Sequence, residues 1–179
     1  MKGLRDFQIP FIGLKIGVHE FSYELNKSFF EHFPDSPIGD CEVNIKLEFD
    51  KKETLFTLNF FIDGKVSVEC DRCLTPYHKE IFGDFTCYVK FAENPDEIPE
   101  NDEIVFIGRE QSHVDVSQLI YEYVVLCLPM QKIPCKEPGK DERCNLEVLN
   151  FLIQQEEKNN PKEPAIDPRW EALKKLNKN

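Results

Sequence analysis

The chain has 179 residues, 41% of them apolar, and a net charge of −11 with a pI near 4.9. That length and apolar share exclude a disordered chain and suit one cored domain with extensions. The acidic balance disfavours broad nucleic-acid binding, which rests on cations displacing phosphate counterions, and no stretch approaches the ~20 apolar residues of a membrane span.

Met1 to Asp6 is not followed by the apolar run of a secretory signal, so a cytoplasmic location is expected. Alternation begins at Phe21, Tyr23 and Leu25, the pattern of a half-buried strand. A polar-aromatic stretch over Lys27 to Phe33 follows and ends at Pro34 and Pro37. Cys41, Val43, Ile45, Leu47 and Phe49 then share one face of a strand, with Glu42, Asn44, Lys46 and Glu48 on the other. Asp50 to Glu53 is read as a turn, and Phe56, Leu58, Phe60 and Ile62 as the next strand. Asp63-Gly64 is a hairpin dipeptide, so a further strand is expected over Val66 and Val68 into Cys70. Ile81, Phe85, Cys87, Val89 and Phe91 mark another. The reading is an antiparallel meander.

Residues 93–103 hold Glu93, Asp96, Glu97, Glu100, Asp102 and Glu103 around two prolines, an acidic loop. Ile104 to Ile107 reads as a short strand. Asp115, with Gln118 as reciprocal partner, is expected to cap a helix whose face is Val116, Leu119, Ile120, Tyr123, Val124, Cys127 and Leu128 and which Pro129 stops. This helix should cover one face of the sheet or plug a barrel end. A shorter helix is expected from about Leu146 to Gln155. Asp167-Pro168 opens a last one whose apolar stripe is Trp170, Leu173 and Leu176. The expected fold is therefore α+β: an antiparallel meander or partly closed barrel covered by one long helix, with C-terminal helices. One domain is placed at 1–155, a linker at 156–166 and a terminal helix at 167–179.

Seven cysteines in a reducing compartment call for burial or metal rather than disulfides. Cys41, Cys87 and Cys127 fall on apolar faces and read as core. Cys70-Asp71-Arg72-Cys73 has the spacing at which two sulfurs reach one metal ion, at a strand end as in a zinc knuckle. The redox alternative wants a helix after the first cysteine, and a strand pattern follows instead. Cys135 and Cys144 remain as the completing ligands, with His78 an alternative for one of them. Four thiolates favour zinc over iron. Such a site would be structural and closed to substrate, and neither a phosphate loop, a nucleophile elbow nor a zinc-protease helix occurs, so the chain is expected not to be an enzyme.

Val68-Glu69-Cys70-Asp71-Arg72-Cys73-Leu74, the helix ending in Leu128-Pro129, and Asp167-Pro168-Arg169 followed by Leu173 and Leu176 occur here in the order found in the YceD family. The chain resembles that family over roughly residues 10 to 176. The resemblance implies a role in making the large ribosomal subunit and accumulating its RNA, and places the metal-type cysteine groups on Cys70, Cys73, Cys135 and Cys144. Charge points to a basic protein partner, a large-subunit ribosomal protein among the candidates, with RNA contact weak and confined to Arg72 and the tail lysines Lys174, Lys175 and Lys178. Arg72, Trp170, Leu173 and Leu176 are the candidate partner-binding residues. The alternative is a regulatory binding module that acts on RNA-processing enzymes without touching the ribosome.

Overall fold

The structure is a computed structural model that describes residues 4–95, 104–134 and 145–159. The acidic loop from residue 96 onward, Cys135, Cys144 and the terminal helix with Trp170, Leu173 and Leu176 lie outside the described residues. The chain divides into two compact units, Met1–Glu69 with Pro76–Lys132, and Cys70–Thr75 with Ile133–Asn179.

The first unit is built on five strands: β2 (Gly17–Leu25), β3 (Cys41–Lys51), β4 (Leu55–Glu69), β5 (Pro76–Ala92) and β6 (Ile104–Gly108). Two short strands, β1 (Gln8–Ile9) and β7 (Val114–Asp115), pair separately. The spatial order is β2-β3-β4-β5-β6. The first three pairings are antiparallel, as the alternation predicts, whereas β6 runs parallel to β5, with Tyr88 opposite Ile104 and Lys90 opposite Phe106. The sheet is thus mixed and open, with β2 and β6 as its edges, and not the pure meander or partly closed barrel expected. Alternation determines which face of a strand is buried; it is blind to the direction of the neighbour, which follows from the length of the connection.

A second correction concerns Asp63-Gly64. No hairpin forms there: β4 continues for 15 residues and pairs without a break to β3 and β5. Glycine is present because β3 lies close behind it. A Cβ on Gly64 would run into the carbonyl oxygen of Glu42 and come within 2.6 Å of the Val43 Cα. The dipeptide that elsewhere turns a chain here permits two backbones to approach. The β3–β4 turn also starts later than expected, since β3 runs through Lys51 and the Lys52 amide bonds the Leu55 carbonyl at 3.1 Å.

Even-numbered residues of β4 and odd-numbered residues of β3 and β5 form the buried face. Phe49, Leu47, Leu58, Phe60, Phe56, Cys87 and Val89 are at most 1% exposed. Each such large apolar side chain contributes roughly 1.5–3 kcal/mol relative to exposure. Helix α1 (Lys27–Phe30) is a single turn capped by the Asn26 side chain and buries Phe29 and Phe30, and helix α2 (Ser117–Leu126) lays Ile120, Tyr123 and Val124 onto the core. Tyr123 stacks on Phe85 at 4.6 Å and meets Phe60 edge-on at 5.1 Å. Phe33 and Tyr121 stack in parallel at 4.1 Å.

Asp115 bonds the start of α2 but is not its N-cap as expected: that position falls to Val116, and Asp115 stands one residue ahead of it. The Asp115 carboxylate accepts from the Ser117 amide at 2.9 Å and the Ser117 hydroxyl at 2.6 Å. The Gln118 side chain does not reach back; it donates to Glu122 one turn on, at 2.7 Å. The helix ends at Leu126, ahead of Pro129, consistent with the extended bias of residues before proline. In the second unit, helix α3 (Leu146–Asn159) starts where expected, with the Asn145 side chain accepting the Glu147 amide at 3.1 Å, and runs four residues past Gln155.

Candidate functional site: the Cys70–Cys73 turn

Six residues, Cys70 to Thr75, join β4 to β5. Two backbone bonds close the loop, Leu74 amide to Cys70 carbonyl and Cys70 amide to Thr75 carbonyl, both 3.0 Å. Leu74 takes a left-handed conformation, φ +59°, to make this possible. A branched apolar residue enters that region at a cost of roughly 1–2 kcal/mol, so the closing bonds hold a conformation the residue itself does not prefer.

Inside the turn both cysteines are 1% exposed. Burial alone would raise the Cys73 pKa, yet the thiol is pulled down to about 6 by donors that converge on its sulfur. They are the Thr75 and Asn145 backbone amides and the Cys70 thiol. The Thr75 side chain acts in the same direction, its hydroxyl oxygen lying 3.4 Å from the Cys73 sulfur and accepting from the thiol when that is protonated. The shift favours the thiolate of Cys73, the form that binds metal. The other described cysteines behave oppositely. Burial raises Cys87 and Cys127, and burial with the neighbouring Asp40 and Glu42 charges pushes Cys41 up to about 11. Cys87 is buried in the core and Cys41 and Cys127 are half-buried against it, as their alternation and helical spacing suggest.

The donor set fits a soft cation such as zinc, which takes four thiolate or imidazole ligands. Cys70 and Cys73 supply half of such a set. No group of three or more His, Cys, Asp or Glu side chains that would hold a metal occurs among the described residues. The other two expected ligands, Cys135 and Cys144, lie outside them. Asn145, whose amide faces the Cys73 sulfur, is the residue that follows Cys144 in the chain. His78 is exposed on β5.

Arg72 is exposed in the turn and makes no ion pair among the described residues. Trp170, Leu173 and Leu176 fall outside the described chain, so the partner-binding set is represented here by Arg72 alone. The sequence reading passed over two kinds of residue. Thr75 and Asn145 set the state of Cys73, and only the folded turn brings their N–H groups to the sulfur. Phe61 and Phe82 stand on the solvent face of the sheet, 38% and 84% exposed. Each breaks the polar phase of its strand's alternation, a signal that was present in the sequence.

Among the described residues no helix is long and apolar enough to cross a membrane. A mixed sheet with a Cys-x-x-Cys turn in the connection from β4 to β5 defines a small α+β protein. The family described as large ribosomal RNA subunit accumulation protein YceD matches residues 58–177, which span that turn and two thirds of the chain. The chain belongs to the YceD family. It is also similar to the uncharacterized protein YlbN of Bacillus subtilis (strain 168), 30% identical over 137 residues that cover 75% of this chain and 73% of that protein. No solved structure matches.

Proposed function

We propose that this protein is a non-catalytic cytoplasmic factor on which assembly of the large ribosomal subunit, and so accumulation of its RNA, depends. What supports the ribosomal part is membership of a family described by that role. What supports the accessory part is the character of the cysteine turn: a pair of buried sulfurs, one of them with its thiolate favoured by hydrogen-bond donors, suits a structural metal.

In this reading Cys70 and Cys73 bind zinc together with Cys135 and Cys144. The ion would supply fold stability to the segment that carries the ligands and no hydrolytic chemistry. The protein acts through a basic protein partner, since a chain of charge −11 repels phosphate and attracts cationic segments.

The test is a sucrose-gradient profile of ribosomal particles from cells depleted of the protein, with the ribosomal RNA ends mapped. Fewer mature large subunits, with precursor RNA in lighter particles, is the expected outcome. A normal profile would remove the ribosomal role.

A further inference from the structure

The solvent face of the five-stranded sheet is laid out by register. Ser22, Lys46, Phe61 and Asp84 form one row across β2 to β5; Glu24, Asn44, Asp63 and Phe82 form the next; Glu42, Lys65 and Glu80 the third. Phe61 and Phe82 are diagonal neighbours on adjacent strands, roughly 7–8 Å apart at the backbone. Each ring has a carboxylate as its direct cross-strand partner, Asp84 for Phe61 and Asp63 for Phe82.

The cations of these rows are already engaged. Lys46 pairs with Glu20 at 3.3 Å and Glu48 at 3.1 Å, and Lys65 pairs with Glu80 at 3.2 Å. Glu24, Glu42, Asp63 and Asp84 are exposed and make no ion pair among the described residues. Within these three rows stand two outward aromatic rings, four carboxylates without an ion pair among the described residues and no cation without one, which is complementary to one chemistry; the exposed Lys90 lies on the same face beyond them. A guanidinium stacks on a phenyl ring while donating to a carboxylate beside it, and a lysine stem packs on the ring with its ammonium at the acid. A nucleic acid meets the opposite condition: the rings would take its bases, but the carboxylates repel its phosphates.

We propose that this face, centred on Phe82, Phe61, Asp63 and Asp84, docks an extended Lys/Arg-rich segment of a partner protein. The inference rests on the reading above that the protein works through a basic partner, and it gives that contact a location. The two rings supply the apolar anchor, and the carboxylates orient the cations along the strands.

The experiment measures anisotropy of a fluorescein-labelled Arg/Lys/Gly peptide titrated with the full-length protein at physiological salt. Phe82→Ser leaves net charge untouched and alters a side chain that is 84% exposed, so the fold is retained. It is expected to weaken binding about fivefold or more, as loss of a central aromatic anchor does. Asp63→Asn with Asp84→Asn is compared with Glu31→Gln with Glu53→Gln, a charge-matched pair outside these rows, and is expected to weaken binding several-fold more than that control. Equal losses for the two pairs would mean that the peptide reads net charge alone and would overturn the proposal. So would unchanged affinity in Phe82→Ser, or a single-stranded RNA oligonucleotide that binds more tightly than the peptide and is lost in that variant. Peptide binding lost in Phe82→Ser while depleted cells keep a normal gradient profile upholds the docking face and removes the ribosomal reading. Unchanged peptide binding with a large-subunit shortage on depletion does the reverse.

Discussion

Cys73 and Cys87 are both buried, one in a turn and one in the core, and their chemistry diverges because of what surrounds each sulfur. Around Cys73 the neighbours are N–H and O–H donors, which stabilise negative charge. Cys87 sits in the core, where burial raises its pKa and its thiol donates to the Tyr88 carbonyl at 3.8 Å. Elemental analysis of protein purified without chelators should give about one zinc per chain, as one tetrathiolate site holds. Cys70→Ser with Cys73→Ser should abolish it, and zinc retained in that double variant would refute the assignment. Two tyrosines set a separate pH limit. Burial, with the Asp115 charge adding to it, raises Tyr23 from 10 to about 12, and burial with Cys87 beside it raises Tyr123 further. The unfolded chain then loses these protons first as pH rises, so their contribution to stability is whole below pH 10 and falls on the way to about 12. The urea midpoint should drop across that window, and Tyr123→Phe should flatten the drop.

At the scale of elements, the sheet hangs on the long pairing of β4 with its neighbours. Gly64→Ala puts a methyl against β3 backbone that cannot step aside, and should destabilise by about 1–3 kcal/mol in urea titrations. A shift under the error of such titrations would mean that β3 is free to move. Asp115→Ala removes the acceptor of both Ser117 bonds and should cost about 1 kcal/mol by the same measurement. The strands themselves were legible because each follows a period of two: Cys41 to Phe49 and Phe56 to Ile62 read directly as buried and solvent phases. The helix over Ser117–Leu126 was legible from its 3-4 spacing. Gly64 was misread since the same dipeptide serves a tight turn or a close approach, and only the position of β3 distinguishes them. The Gln118 cap failed for a similar reason, because Glu122 one turn away competes for its amide.

Across the molecule, charge and fold combine into a surface with direction. The value −11 belongs to the whole chain, but the register of β2 to β5 concentrates around Phe61 and Phe82 four carboxylates that make no ion pair among the described residues. Binding of a cationic peptide there should weaken steadily as salt is raised from low to physiological, through screening, while the aromatic share of the affinity persists. A salt-independent affinity would argue that the rings alone hold the segment.

By itself the sequence determined the α+β character, the buried and exposed phases of the strands, the separation of Cys70 and Cys73 from the core cysteines, and the YceD family, because each of these is written in local spacing or in a contiguous motif. The tertiary structure alone decided that β6 runs parallel to β5, that Asp63-Gly64 continues a strand, that Thr75 and Asn145 donors lower the pKa of Cys73, and that Phe61 and Phe82 share one acidic face. All of these depend on which distant backbone lies alongside, and residue spacing along the chain carries no record of that.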